Sequence, residues 1–407
     1  MAPPLILRPL KSTSPSLAED MVICGLRAGF ASLAESNRWV LHDPRAWLGV
    51  AFHSLLQNVA QTRFALDFET AWDNEVTRLA NLAADHQFDR RFRDPTRWPS
   101  YYLVRQRALS SAREMVSKRA SAISYQPLID SAKIAPAKIA SKGIEKKLFA
   151  RSGRLTGRPD RFDASTITDF KSSLPDENSP KRAEILARHE RQLQIYAAII
   201  ADVLGYSPKT GILVAASGAT VSFDLEPRKC DAEADAALAA LDRWNASLLA
   251  ASRAGELAAP SAGACENCRF QLICPAFWEW VMRSPTVSVH AASAATGTLV
   301  AVQSGNDRDL QTLQFSNIVA MPPADSEQAL VIRCSIHGDH VSKAIGTVCR
   351  ITGAPVRPDG RLRADLSTII ACENELPSID IGREALFKTK SEQSGQLLEP
   401  GRPERPA

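Results

Sequence analysis

The stretch G-R-P-D-R-F-D-A-S-T-I-T-D-F-K-S-S, Gly157 to Ser173, decides how this chain reads. Pro159-Asp160 lies on or beside one strand, Asp163-Ala164-Ser165 is a turn signal, and Thr166-Ile167-Thr168-Asp169-Phe170-Lys171 is a second strand. Side chains alternate faces along a strand, so Asp169 and Lys171 point one way and Phe170 the other. A hairpin then brings Asp160 beside Asp169, with the Lys171 ammonium in the same space. Crowded carboxylates repel, and a hard divalent cation between them removes the repulsion. In outline this is a metal-dependent hydrolase centre, and phosphodiester cleavage is its natural chemistry.

Upstream, residues 44–80 read as helical. Pro44 opens the segment, and Trp47, Leu48, Val50, Ala51, Leu55 and Val59 form a broad apolar stripe. His53 is close to that face, as a satisfied core histidine or as a ligand through a neutral imidazole nitrogen. Earlier still, Ser14-Pro15 signals a helix start, and Leu17, Met21, Cys24 and Ala28 share a helical face. Between 86 and 126, Arg90, Arg91, Arg93, Arg97, Arg105, Arg107 and Arg113 interleave with Phe92, Trp98, Tyr101 and Tyr102. That is a nucleic-acid face, by phosphate pairing and base stacking, or else a solvated helical region with aromatic anchors. A repetitive lysine-bearing connection, 131–142, leads to the strands.

Downstream, a polar loop over 174–182 precedes a helix from about Arg182 to Leu204. Gln192 and Tyr196, four apart, share its face and can reach back toward the hairpin. A strand over Thr210–Ala216 pairs with Val221–Phe223, and an alanine-rich helix with Trp244 spans 231–256. Then comes C-E-N-C-R-F-Q-L-I-C-P at 265–275, a Cys-x2-Cys-x5-Cys spacing. Cys265, Cys268 and Cys274 read as thiolate ligands with one position left over, for which Cys24 is the candidate. A zinc site usually shows a second ligand pair. One distant cysteine with three clustered ones suits an iron–sulfur cluster better.

After Ser284 the chain turns β-rich: Gly297–Gln303, Leu310–Val319, Ala329–Ile336, Ala344–Ile351 and a run around Arg361–Ile370. Five short strands suggest a small barrel of the OB type, with an SH3-like barrel as the alternative. The expected domains are residues 1–284, an α/β unit with a mixed sheet flanked by helices, and 285–385, the barrel, followed by a disordered tail over 386–407. At 407 residues the length suits two domains. A net charge of +4 demands no polyanionic partner overall, and 45% apolar with 23% charged residues is ordinary. The N-terminus lacks the apolar core of a signal peptide and no run of about 18 apolar residues suggests a membrane span, so a cytoplasmic protein without a membrane partner is expected.

Taken in order, these motifs resemble the RecB-like branch of the PD-(D/E)XK nucleases, and more closely its iron–sulfur members. Those include CRISPR-associated adaptation exonucleases, AddB nuclease subunits and the nuclease domain of a eukaryotic replication helicase-nuclease. The resemblance runs over roughly residues 12–280 and implies a restriction-endonuclease-like fold. It implies a catalytic set of Asp160, Asp169 and Lys171, supported by Gln192 and Tyr196. It implies a Mg2+ or Mn2+ ion on His53, Asp160, Asp169 and the Phe170 carbonyl, and a 4Fe-4S cluster, zinc being the alternative, on Cys24, Cys265, Cys268 and Cys274. The sequence departs from the family in Cys24-Gly25, where Cys-Pro is frequent, and in Asp169, where Glu is commoner. The activity implied is a metal-dependent deoxyribonuclease, an exonuclease on single-stranded or end-frayed DNA. The alternative is a non-catalytic DNA-binding protein with a structural cluster. The chain lacks G-x4-G-K-[ST], so unwinding would come from a helicase or other DNA-processing partner.

Overall fold

A computed structural model describes residues 2–40, 42–61, 67–86, 88–89, 92–124, 143–144, 146–171, 174–215, 219–266, 268–283, 294–304, 311–321, 330–334, 345–353 and 368–382. The repetitive connection over 131–142 and the tail over 386–407 lie outside these residues. The chain opens with strand β1 (Leu5–Leu7), and helix α1 (Pro15–Ile23) starts as Ser14-Pro15 requires. The Ser14 side chain caps the Leu17 N–H, and Pro15 occupies a position whose own N–H would be unpaired. Helix α2 (Gly25–Ser32) follows directly. The expected face through Cys24 therefore breaks: Cys24 is extended, between the two helices rather than on one.

Three helices come next, α3 (Pro44–Gln61), α4 (Phe68–Asp85) and α5 (Tyr101–Ser124). They share a core of Leu48, Leu55, Trp72, Val76 and Leu109. Val50 departs from the expected stripe and is exposed. The arginine–aromatic segment also departs from a stacking face. Phe92 and Trp98 are buried in the helical core, and Arg105 and Arg113 pair with acids of α4, Glu69 and Asp73. Tyr102 alone of the four aromatics is well exposed, because burying an aromatic ring gains more than leaving it on a solvated helix. Arg90 and Arg91 lie outside the described residues.

The strands β2 (Gly143–Ile144), β3 (Leu148–Ala150), β4 (Leu155–Gly157), β5 (Arg161–Phe162) and β6 (Thr166–Lys171) precede the long helix α6 (Arg182–Leu204). Strands β7 (Thr210–Ala215) and β8 (Thr220–Asp224) and helix α7 (Pro227–Ala250) follow. The central sheet has the order β2-β5-β6-β7-β8 and is mixed, since β6 and β7 are parallel and the other pairs antiparallel. A parallel neighbour needs a crossover, and α6 supplies it. Its Leu193, Ile199 and Ile200 bury against Phe162, Ile167 and Leu213 of the sheet. Helices α8 (Ala262–Glu266) and α9 (Pro275–Arg283) carry and follow the cysteine cluster.

The C-terminal region contains β9 (Ala294–Ser304), β10 (Gln311–Met321), β11 (Leu330–Cys334), β12 (Val348–Thr352) and β13 (Ile369–Cys372), near the five expected strands. Their order is β11-β10-β9-β12-β13, and among the described residues no pairing joins the edge strands β11 and β13. Among the described residues the five strands form an open sheet, and the expected OB-like barrel is not shown. Strand β13 is buried on both faces. Ile370 and Cys372 pack into the sheet's own cluster, while Ile369 and Ala371 pack with Leu7, Phe30 and Phe270. The last strand, β14 (Ile379–Ile381), pairs in parallel with β1, Leu5 opposite Ile379 and Leu7 opposite Ile381. No described helix is long and apolar enough to cross a membrane.

Candidate active site and cysteine cavity

The hairpin at the centre is built locally. Asp163 Oδ1 accepts from Ser165 N at 2.9 Å and Thr166 N at 3.0 Å, an Asx turn that fixes the reversal. Arg161 then pairs with Thr168 and Phe162 with Ile167, so Asp160 arrives at the level of Asp169. The Phe170 N–H donates to Asp160 Oδ2 at 2.7 Å. Alternation along β6 sends the Phe170 ring into the helical core and leaves Asp169 and Lys171 together, Nζ 2.7 Å from Oδ2.

Helix α3 brings His53 to this hairpin from 117 positions away in sequence. Its Nε2 is 3.0 Å from the Phe170 carbonyl oxygen, its Nδ1 3.8 Å from Asp160 Oδ2. Helix α6 closes the other side. Lys171 Nζ donates to Gln192 Oε1 at 3.1 Å, and Gln192 Nε2 donates to the Tyr196 hydroxyl at 3.2 Å. The spacing that lets α6 approach is set by Gly157, where an added Cβ would meet Ile199 Cδ1 at 2.7 Å and the Tyr196 ring at 3.0 Å.

The electrostatics of this group are unusual. Burial, then repulsion from Asp169, pushes the Asp160 carboxyl up to about 6. Burial pushes Tyr196 up to about 12, so its phenol stays protonated as a hydrogen-bonding group. His189 joins the cluster from α6, hydrogen-bonded to Gln192. Burial, then the Lys171 charge, depresses it to about 4, so it is neutral at physiological pH. Sequence reasoning missed His189, although its i, i+3 relation to Gln192 puts both on one helical face.

The donor set fits a hard divalent cation. Asp169 Oδ2 is buried and, although ion-paired with Lys171, has no aligned hydrogen-bond donor. Burial and the neighbouring Asp169 carboxylate make Asp160 resist ionisation, and a cation would offset both. The 3.0 Å between His53 Nε2 and the Phe170 oxygen is also the separation, about 3 Å, of adjacent ligands each 2.0–2.1 Å from an octahedral Mg2+. His53, Asp160 and Asp169 do not, however, present three ligand atoms within 4.8 Å of one another.

Cys24, Cys265, Cys268 and Cys274 line one cavity together with Arg27, Phe30 and Phe277. Gly25 permits this approach: a Cβ there would stand 2.9 Å from the Leu257 carbonyl oxygen. Burial pushes Cys265, Cys268 and Cys274 upward, Cys268 to about 11, so thiolates here require a positive centre. Backbone N–H groups of Ala259 and Phe277 reach Cys24 Sγ at 3.5 Å and Cys274 Sγ at 3.4 Å. No three of the sulfurs lie within 4.8 Å of one another. A tetrahedral zinc with Zn–S near 2.3 Å needs sulfurs about 3.8 Å apart.

The mixed sheet thus carries a carboxylate hairpin with a lysine on one face. A sequence model of the PD-(D/E)XK nuclease superfamily matches residues 12–275, and the chain belongs to that superfamily. No curated protein matches the chain. Six chains of solved structures do. One, described as "Crystal structure of SSO0001", is 17% identical with a TM-score of 0.21, over 56% of this chain and 95% of that one.

Proposed function

We propose that this chain is a divalent-metal-dependent deoxyribonuclease, with His53, Asp160, Asp169 and the Phe170 carbonyl holding Mg2+ or Mn2+. The observation that carries the reading is the hairpin geometry, with the Phe170 N–H 2.7 Å from Asp160 Oδ2, Lys171 Nζ 2.7 Å from Asp169 Oδ2 and His53 Nε2 3.0 Å from the Phe170 carbonyl oxygen. When bound, the cation supplies a water of lowered pKa and charge to offset that on the scissile phosphate. The chain's own residues do the positioning. The Phe170 N–H fixes the Asp160 carboxylate. Lys171, steadied by Asp169 and Gln192, donates to the attacking water or to a phosphate oxygen. Tyr196 orients Gln192, and a neutral His189 adds no positive charge that would compete with Lys171.

The same reading places the protein in the iron–sulfur, RecB-like branch, with a 4Fe-4S cluster on Cys24, Cys265, Cys268 and Cys274. Four cysteines lining one cavity are what support it. The cluster clasps the segment between α1 and α2 to the region after α7. The substrate is single-stranded or frayed DNA in the cytoplasm, opened by a partner helicase. The nuclease unit is assigned to 1–284 and a DNA-guiding β unit to 285–385.

Cleavage of 5′- and 3′-labelled single- and double-stranded DNA with Mg2+, Mn2+ or a chelator tests the activity. Metal-dependent cleavage that Asp160→Ala lowers by about 10^2–10^3 or more, with an unchanged circular-dichroism spectrum, is the expected result. Undiminished cleavage by clean Asp160→Ala protein would sink the assignment. Binding without cleavage by the native chain would leave a DNA-binding protein. Anaerobically purified protein should be brown for the cluster and colourless for zinc.

A further inference from the structure

Outside the nuclease centre and the cysteine cavity, one group among the described residues offers three metal-ligating atoms within 4.8 Å of one another: His42, His86 and Asp89. His42 lies just ahead of α3, His86 caps the end of α4, and Asp89 sits in the turn that follows. The Asp89 side chain is 0% exposed. Its Oδ2 faces both rings, 2.5 Å from His42 Nδ1 and 2.8 Å from His86 Nδ1. Its Oδ1 is buried with no hydrogen-bond partner. Leaving a carboxylate oxygen unpaired in the interior is costly, and each such atom calls for an explanation.

The His86 ring gives the direction. Nε2 stands 3.1 Å from the Asn37 carbonyl oxygen, which can only accept, so Nε2 carries a proton. The Phe88 N–H reaches Nδ1 at 3.4 Å, as it would a lone pair. Nδ1 faces the anionic Oδ2 at 2.8 Å, a distance that needs a positive charge between the two atoms. A second proton is one solution and a metal ion is the other. A ring N–H donated to a backbone carbonyl is the usual outer-shell partner of a metal-ligating histidine. The Trp47 ring against His42, at 5.2 Å, and the Phe88 ring against His86, at 6.2 Å, supply an apolar wall.

We propose that His42, His86 and Asp89 form a second metal site, for Zn2+, that pins the start of α3 to the end of α4. Two imidazoles and one carboxylate suit zinc, whereas Mg2+ and Ca2+ prefer all-oxygen ligands. Three protein ligands leave a fourth position for water. Ligands 2.0–2.1 Å from a tetrahedral ion stand about 3.3 Å apart, so the rings and carboxylate open by less than about 1 Å to admit it. The ion then stands between Oδ2 and the two ring nitrogens that already face it. The clamp holds the helix that carries His53, and its ion is chemically distinct from the cation of the nuclease centre.

The test uses the full chain without a histidine tag, stripped with chelator and titrated with Zn2+ and, separately, Co2+. His42→Gln is the main variant because His42 is the most exposed of the three, at 29% against 16% and 0%. The native chain is expected to bind one more equivalent of Zn2+ than His42→Gln does, or to hold that equivalent at least about a hundredfold tighter, beyond the 10–100-fold effect of removing an outer-shell partner. The native-minus-variant Co2+ difference spectrum is also expected to show nitrogen and oxygen ligation without thiolate bands. Zn2+ raises the melting temperature of the native chain and does so less for the variant. Equal stoichiometry and affinity in the two proteins, with His42→Gln lowering the melting temperature equally in Zn2+ and in chelator, overturns the site and leaves a protonated histidine–aspartate contact. Asp89→Asn repeats the comparison, and if it fails to fold the decision rests on His42→Gln.

Discussion

His189 shows how a neighbour can silence a titratable group. Burial and the Lys171 charge depress it from 6.5 to about 4, so between these values the unfolded chain binds a proton that the folded chain does not. Stability therefore falls as pH drops from about 6.5 toward 4 through this residue. His189→Gln removes that contribution, and the difference in melting temperature between native protein and variant should shrink or change sign in favour of the variant over that window. A difference constant from pH 4 to pH 7 would show that His189 is not the cause. Lys171 is the converse case, a charge whose use depends on being held. Lys171→Ala is expected to lower cleavage by about 10^2–10^3 with the fold retained, measured as single-turnover rates on labelled DNA. Asp160, Asp169 and Lys171 were legible because strand alternation and a local turn place them. His189 was not, because burial that shifts its titration comes from the packed sheet beneath α6.

At the scale of elements, the hairpin and α6 work as one unit, and their separation is set where β4 passes under the helix. Gly157→Ala would drive a methyl group into Ile199 and the Tyr196 ring. Overpacking of this kind costs about 1–3 kcal/mol. It should also turn Tyr196 away from Gln192, so denaturant unfolding and cleavage rate are expected to fall together. A variant with native activity and native stability would mean that the strand and helix adjust freely. Helix α6 itself was readable from end to end. Its last turn closes on Gly205 at φ 75°, a left-handed conformation that glycine adopts without strain. The break at Cys24 was not readable, since α1 and α2 share a continuous apolar pattern. The close approach of Gly25 to the Leu257 carbonyl shows the tertiary constraint at that break. The arginine–aromatic segment stayed open between two readings for a related reason: composition cannot say which face of a helix meets its neighbours.

Across the whole molecule, the two ends of the described chain are tied together. β14 pairs with β1, and Ile369, Ala371, Ile379 and Ile381 join the cluster around Leu7, Phe30 and Phe270. Removing residues 285–407 strips that cluster of its C-terminal members. The truncated protein is expected to melt well below the full chain, and Leu7→Ala in the full chain to cost about 2–5 kcal/mol by denaturant unfolding. Equal melting temperatures for the truncated and full chains would show that the shared core adds nothing to the nuclease unit.

By itself the sequence determined what short-range rules can determine: the turn at Asp163, the alternation that separates Phe170 from Asp169 and Lys171, the helix from Arg182 to Leu204, the β-rich C-terminal runs and the cysteine spacing. Each follows from steric and hydrogen-bond preferences within a few residues. Tertiary structure decided which distant segments meet: His53 with Phe170, Cys24 with the later cysteines, His42 with Asp89, and β13 between two cores. Such contacts are selected by shape and burial after the loop-closure entropy between them has been overcome, and no local pattern records the identity of the partner.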